Sequence, residues 1–234
     1  MAMQAVILCA GMGTRMGELT RDIPKPLLHI GNKTLLEYKL ESLPEEIDKI
    51  VLVIGYKGKK IKEAFGNYFR KIPIVYVEDR TVSGTAHALW QAKDVVRRRF
   101  VVMMGDDIYS SEAIKKCVQF DFSIVGKTET IDKPGDRIVT DSNNNLIDFV
   151  THEKYRTIRD GAGLIFTGLY SLTADIFNYE PVKLELKDEW GLPQTLLKVI
   201  GDHHVEIIET DFWIQITDRE DLRKAEIILS KVPL

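Results

Sequence analysis

Residues 11 to 17 read GMGTRMG and follow directly on the apolar run Ala5 to Ala10. Glycines placed after a strand leave successive backbone N–H groups free to converge on phosphate oxygens. Arg15 adds a planar, permanently charged fork to this loop. Lys25, held between Pro24 and Pro26, adds a compact cation on a stiff stretch of backbone. Two cations beside glycines fit a polyphosphate. A single Lys or Arg is more often a solvated loop charge, but the flanking prolines weaken that alternative for Lys25. Farther along, Gly105-Asp106-Asp107 sets paired carboxylates after a second apolar run, Arg99 to Met104. Mg²⁺ is commonly held by one or two such carboxylates together with phosphate oxygens and water; the bland alternative is a polar turn.

Several better-known arrangements are excluded by spacing. The glycines read GxGxxxG, and a dinucleotide fold needs a helix opening inside the loop, where Pro24 and Pro26 stand and no apolar helical period begins before Leu35. Gly126-Lys127-Thr128 has the ending of a phosphate-binding P-loop, but Asp121 occupies the position of its required glycine. No Gly-x-Ser-x-Gly elbow occurs, and Ser83 merely precedes Gly84. His87 lies on a helical pattern and reads as a packing or surface residue. Neither it nor His203-His204 pairs with a cysteine or acid at zinc-site spacing.

The elements that must carry these residues are legible from periodicity. Ala5–Ala10, Lys49–Gly55, Ile72–Val77 and Arg99–Met104 read as strands buried on both faces. Helical patterns lie between them, through Leu35, Leu36, Leu40 and Leu43, over Ile61–Phe69, and over Thr85–Val96. Such alternation predicts parallel strands with right-handed crossovers and ligands beyond the strands' carboxyl ends. Both the Gly11 loop and the Gly105 turn fall there. After Phe120 the rhythm changes to strands at Phe122–Val125, Arg137–Thr140, Leu146–Val150 and Leu164–Leu169, with Asn143-Asn144-Asn145 as a hairpin turn. Helices at Leu192–Val199 and Asp221–Leu229 follow, with Asp218 and Asp221 placed as a capping pair. No linker separates the halves, which predicts one shared sheet.

The 234 residues are 44% hydrophobic and 29% charged, which excludes disorder and low complexity. A net charge of -3 gives no overall footprint for nucleic acid or anionic lipid. No apolar run approaches the roughly 20 residues of a membrane span, and Met1-Ala2-Met3-Gln4 lacks a basic secretory n-region. Two distant cysteines, Cys9 and Cys117, argue against a disulfide framework, so a cytoplasmic location is expected.

The segment GMGTRMGELTRDIPKPL, residues 11 to 27, resembles the signature of the sugar-1-phosphate nucleotidylyltransferases. GTAHAL at 84 to 89 is similar to that family's base-recognition segment, and GDD at 105 to 107 to its metal-binding turn. Glu153-Lys154, TGLY at 167 to 170 and Glu189 are similar to its sugar-contact motifs. The resemblance covers nearly the whole chain. It implies an α/β, Rossmann-like three-layer α/β/α fold with a central mixed, mainly parallel sheet and a small antiparallel substrate or lid region. It further implies one domain over residues 1–234, with a nucleotide-binding half over about 1–119 and a sugar-binding half over about 120–234.

The activity implied is NTP plus sugar 1-phosphate giving NDP-sugar and pyrophosphate, with Mg²⁺ as cofactor. Under it Arg15 stabilises the leaving pyrophosphate and Lys25 holds the sugar phosphate against the α-phosphate. Ala10, Gly11, Gly13, Thr14, Asp79, Gly84 and Thr85 bind the nucleotide. Asp107, Glu153, Lys154, Gly168 and Glu189 meet the sugar, while Asp106 and Asp218 are the metal ligands. The chain also departs from the family pattern. Gln215 stands where a metal-binding aspartate is usual, leaving Asp218 as the substitute ligand or simply as a helix N-cap. Tyr155 and Gln194 replace a common proline and aspartate. Asp79 replaces a base-reading glutamine; an aspartate suits the donor edge of guanine or the amino group of cytosine, or else is an exposed loop acid.

Two alternatives accompany this reading: a cytidylyltransferase acting on a non-sugar phosphate, and an inactive nucleotide-sugar-binding regulator. The stripe Leu222, Ala225, Ile228 and Leu229 reads as core, with a homodimer contact as its alternative.

Overall fold

The computed structural model describes residues 3–158, 161–185 and 187–231. Its first strands are β1 (Met3–Cys9), β2 (Ile47–Ile54), β3 (Ile72–Glu78) and β4 (Arg99–Met104). β1 is central and pairs in parallel with β2 on one side and β4 on the other, Val6 lying opposite both Val51 and Val102. β3 continues the parallel order beyond β2. Helices α1 (Leu35–Ser42), α2 (Gly58–Phe65) and α3 (Thr85–Gln91) provide the crossovers.

The second half adds β5 (Asp107–Tyr109), β6 (Ser123–Glu129), β7 (Arg137–Thr140), β8 (Leu146–Val150), β9 (Gly163–Thr173), β10 (Glu206–Glu209) and β11 (Trp213–Gln215). β9 lies antiparallel to β4 and to β6, so both halves share one ten-stranded mixed sheet, as the missing linker predicts. β5 and β11 form a separate antiparallel pair that sets Gln215 opposite Asp107.

Side chains alternate across the sheet and feed two cores. Ile7, Leu52, Val101 and Met103 meet Leu36 and Leu40 of α1, Ile61 of α2, and Ile114 of α4 (Ser111–Cys117) on one face. Val6, Val51, Val53 and Val102 meet Ala86 and Leu89 of α3 on the other. Leu192 and Leu196 of α6 (Leu192–Leu196) pack there too. The result is a three-layer α/β/α arrangement. A third cluster docks the terminal helix α7 (Arg219–Leu229) through Ala225, Leu222 and Leu229 onto Ile30, Leu35 and Ile216. Ile228 of the expected stripe is 40% exposed instead.

Several boundaries differ from the periodic reading. The helix expected to Phe69 ends at Phe65 because Gly66 caps it, and Tyr68–Phe69 turns back as a strand against Ile72–Pro73. α3 stops at Gln91, and the apolar residues after it continue as tight turns rather than helix. α6 is likewise shorter than expected and gives way to a 3₁₀ turn at Val199–Gly201. Residues 11–27 form no α-helix, in keeping with the prolines. Two 3₁₀ segments, Thr14–Thr20 and Lys25–Leu27, occupy the stretch.

Candidate active site

The carboxyl ends of β1, β3 and β4 open into a cleft of about 480 Å³. Ala10, Gly11, Gly13, Thr14, Arg15, Lys25, Asp79, Gly84, Thr85, Asp106 and Glu189 all line it, bringing together the expected nucleotide and catalytic residues. Gly13 adopts φ +64, and a β-carbon there would stand 3.1 Å from Lys25 Cβ, so the glycine lets the loop fold against the lysine. Lys25 is 7% exposed. Its Nζ donates to Asp106 Oδ2 at 2.7 Å and also to the Ile216 carbonyl, which α7's docking fixes.

Asp106 lies in the turn after β4 and Asp107 opens β5, and their side chains have different surroundings. Asp106 opens to the cleft with a side chain 42% exposed. Asp107 turns inward, where Trp213 Nε1 donates to it at 3.1 Å, and it does not line the cleft. Beneath both lies Lys39, fully buried on α1 with Nζ donating to the Leu35 carbonyl. Burial holds the Lys39 ammonium below its ordinary range, opposed by the charges of Asp106 and Asp107. Burial likewise raises the Asp107 carboxyl, helped by Asp106 and opposed by Lys39 and Trp213. Lys39 escaped the sequence reading. Its signal was a lysine at the i+3 and i+4 positions of the Leu35, Leu36, Leu40 stripe.

The opposite wall comes from the second half. Trp190 N–H donates to the Ser83 carbonyl at 2.8 Å, and Leu192 N–H to Thr85 Oγ1 at 3.0 Å. These bonds clamp Glu189–Gln194 onto the start of α3, with Gln194 lining the cleft. His87, expected to be packing or surface, lies tilted against Trp190 with ring centroids 5.9 Å apart, and its Nδ1 stands 3.3 Å from Asp79 Oδ1. Asp136 also lines the cleft and was not anticipated. Buried Arg137 beside it donates to the carbonyls of Thr130, Lys133 and Gly135 and holds that loop. Burial raises the Asp136 carboxyl, opposed by Lys187 and reinforced by Glu153.

The remaining expected residues lie off the cleft lining. Glu153 and Lys154 are exposed on α5 (His152–Ile158), with Lys154 3.8 Å from Asp148. Tyr155 beside them is buried, its ring under the Arg137 guanidinium at 5.5 Å. Gly168 sits at φ +77 where β9 breaks register with β6, between Phe166 and Tyr170. Asp218 is the N-cap of α7. Its Oδ1 accepts from the N–H groups of Glu220 and Asp221 in a capping box, and Thr217 is the neighbour that reaches the cleft.

Residues 4–226 match the family described as Nucleotidyl transferase. The chain belongs to the nucleotidyl transferase family. Among relatives, it is 34% identical over 222 residues to the D-glycero-alpha-D-manno-heptose 1-phosphate guanylyltransferase of Campylobacter jejuni, covering 94% of this chain and 96% of that one. It is 29% identical over 233 residues to the Bifunctional protein GlmU of Methanocaldococcus jannaschii, covering 98% of this chain and 55% of that protein. The chain thus spans about half the length of the GlmU relatives it matches. In fold it is similar to a UDP-glucose pyrophosphorylase solved with UDP-glucose, at TM-score 0.80 and 18% identity over 99% of each chain. This nucleotidyl transferase chain has no described helix long and apolar enough to cross a membrane.

Proposed function

We propose that this chain transfers a nucleotidyl group from an NTP to a sugar 1-phosphate and releases pyrophosphate. The observation that carries the reading is the Lys25–Asp106 pair, 2.7 Å apart, facing a cleft bounded by a glycine loop and by the Glu189–Gln194 wall. In the reaction a phosphate oxygen of the acceptor attacks the α-phosphorus. The bond from that phosphorus to the bridging β-phosphate oxygen breaks in line, and no covalent enzyme intermediate is needed.

Catalysis then rests on positioning and charge neutralisation. The Gly11–Gly13 backbone and the Arg15 guanidinium bind the departing phosphates. Lys25 Nζ, oriented by Asp106 and the Ile216 carbonyl, neutralises charge where the two phosphates meet. Glu189 and Asp136 line the same cleft and would meet the acceptor there.

Among the described residues no three His, Cys, Asp or Glu groups cluster as a metal cage. A cage is not what Mg²⁺ requires, since one half-exposed carboxylate suits a cation that takes its other ligands from phosphate and water. Asp106 is that carboxylate, and bound Mg²⁺ would supply Lewis-acid neutralisation of the phosphates.

The test is pyrophosphate release with Mg²⁺, each of the four ribonucleotides and dTTP, and a panel of sugar 1-phosphates, with product mass recorded. A nucleoside diphosphate sugar from one pairing is the expected result. Nucleotide binding without release from any pairing would instead support the regulatory alternative.

A further inference from the structure

Tyr56 follows β2 and touches both ends of the glycine loop. Its backbone N–H donates to the Ala10 carbonyl at 3.1 Å, where β1 gives way to Gly11. Its hydroxyl faces the Thr20 carbonyl at 3.1 Å and the Arg21 carbonyl at 3.2 Å, and shares its one proton between them. The preceding residue permits this reach. A β-carbon on Gly55 would stand 2.6 Å from the Asp79 carbonyl oxygen and 2.8 Å from that of Ala10.

Thr20, 4% exposed, relays the contact inward. Its Oγ1 donates to the Gly13 carbonyl at 2.9 Å, the same carbonyl that accepts from Met16 N–H at 2.9 Å. Lys57 Nζ also donates to the Arg21 carbonyl, and Arg219 Nε of α7 donates to the Met16 carbonyl at 3.3 Å. Between Ala10 and Arg21 only Met16 and Thr20 are buried, while Gly11, Thr14 and Arg15 are exposed. A loop with so little packing of its own takes its shape from outside bonds, and any freedom it keeps must be given up when a ligand binds. Gly11, Gly13 and Arg15 line the cleft, and Tyr56 does not.

We propose that Tyr56 is a positioning residue whose hydroxyl holds residues 11–20, and Arg15 with them, in the shape that receives the β- and γ-phosphates of the nucleotide. The proposal rests on the nucleotidyl-transfer reading, which gives the loop those phosphates, and adds a residue that acts on the loop from outside the cleft.

The test compares the full chain with Tyr56→Phe, which keeps the ring and the backbone N–H and removes only the hydroxyl. Calorimetry with Mg²⁺ measures the four ribonucleoside triphosphates and dTTP, each beside its own monophosphate. The tightest-binding triphosphate is expected to weaken by roughly threefold to tenfold, the worth of one hydroxyl hydrogen bond, while its monophosphate is unchanged. General damage to the fold would weaken both alike. Tryptic cleavage after Arg15 in the native protein should quicken severalfold, because the loop opens more often. Tyr179→Phe is the control. It loses a comparable bond, 2.7 Å from its hydroxyl to Asp202 Oδ2 and off the cleft lining, and should change neither reading.

Unchanged triphosphate affinity, equal loss toward triphosphate and monophosphate, unchanged cleavage, or the same losses in Tyr179→Phe would overturn the proposal. Selective triphosphate loss in a chain that releases no pyrophosphate from any pairing would leave Tyr56 its role and sink the transfer reading. Pyrophosphate release with triphosphate affinity untouched by Tyr56→Phe would do the reverse.

Discussion

Gly84 and Trp190 meet so closely that a β-carbon on Gly84 would stand 2.5 Å from the Trp190 carbonyl oxygen and 2.7 Å from its amide nitrogen. The two residues belong to different halves of the chain, and this contact seats the Glu189–Gln194 wall on the start of α3. Gly84 also lies at φ +98, where a side chain is strained. Gly84→Ala is therefore expected to lower stability by about 1–3 kcal/mol and to raise the KM for nucleotide more than it lowers kcat. Thermal unfolding and initial-rate kinetics check this, and an unchanged KM would show that the wall does not need the close approach.

Lys25 donates to Asp106 and Ile216 from a nearly buried position, so its charge is fixed before substrate arrives. Lys25→Ala is expected to cut kcat by roughly 10²–10³, the cost of deleting one preorganised donor. Circular dichroism of the variant should match the parent. A folded variant with unchanged turnover would remove Lys25 from the chemistry.

Asp218 satisfies two N–H groups at the start of α7. Asp218→Ala is expected to cost about 1 kcal/mol of stability, while Asp218→Asn, still able to cap, loses less. Because Asp218 Oδ1 is committed to the helix N–H groups, the Mg²⁺ concentration giving half-maximal rate should not move in either variant. A severalfold rise in that concentration would make Asp218 a metal ligand after all.

Both cysteines are buried, and burial pushes the Cys9 and Cys117 thiols up to about 12. Neither should react with a thiol reagent in the native protein at pH 8, and both should react in denaturant. An unfolded thiol ionises near 9 while the folded one keeps its proton, so the folded state binds more protons between those values. Stability contributed by the neutral thiols is complete below pH 9 and is lost as pH rises toward 12, by up to ~1.4 kcal/mol per thiol per pH unit. Denaturant midpoints measured from pH 8 to 11 should fall more steeply for the parent than for a Cys9→Ala, Cys117→Ala double variant.

Local pattern determined a great deal of this protein. The apolar runs of β1, β2 and β4 specify strands buried on both faces, the prolines around Lys25 keep residues 11–27 out of an α-helix, and Asp218 with Asp221 marks the start of α7. These features depend on residues a few positions apart, where periodicity and capping chemistry are readable. Strand ends pointing one way also predict the side of the sheet on which a cleft forms.

Only the tertiary structure decided which side chains face that cleft. It buried Lys39 under the aspartates, turned Asp107 inward toward Trp213, clamped Trp190 onto Gly84, and left Glu153 and Lys154 exposed on α5. It also tied Oδ1 of Asp79 to the backbone of the loop that follows it. Each of these outcomes depends on strand register and on contacts between segments remote in the chain, and local spacing carries no record of those distances.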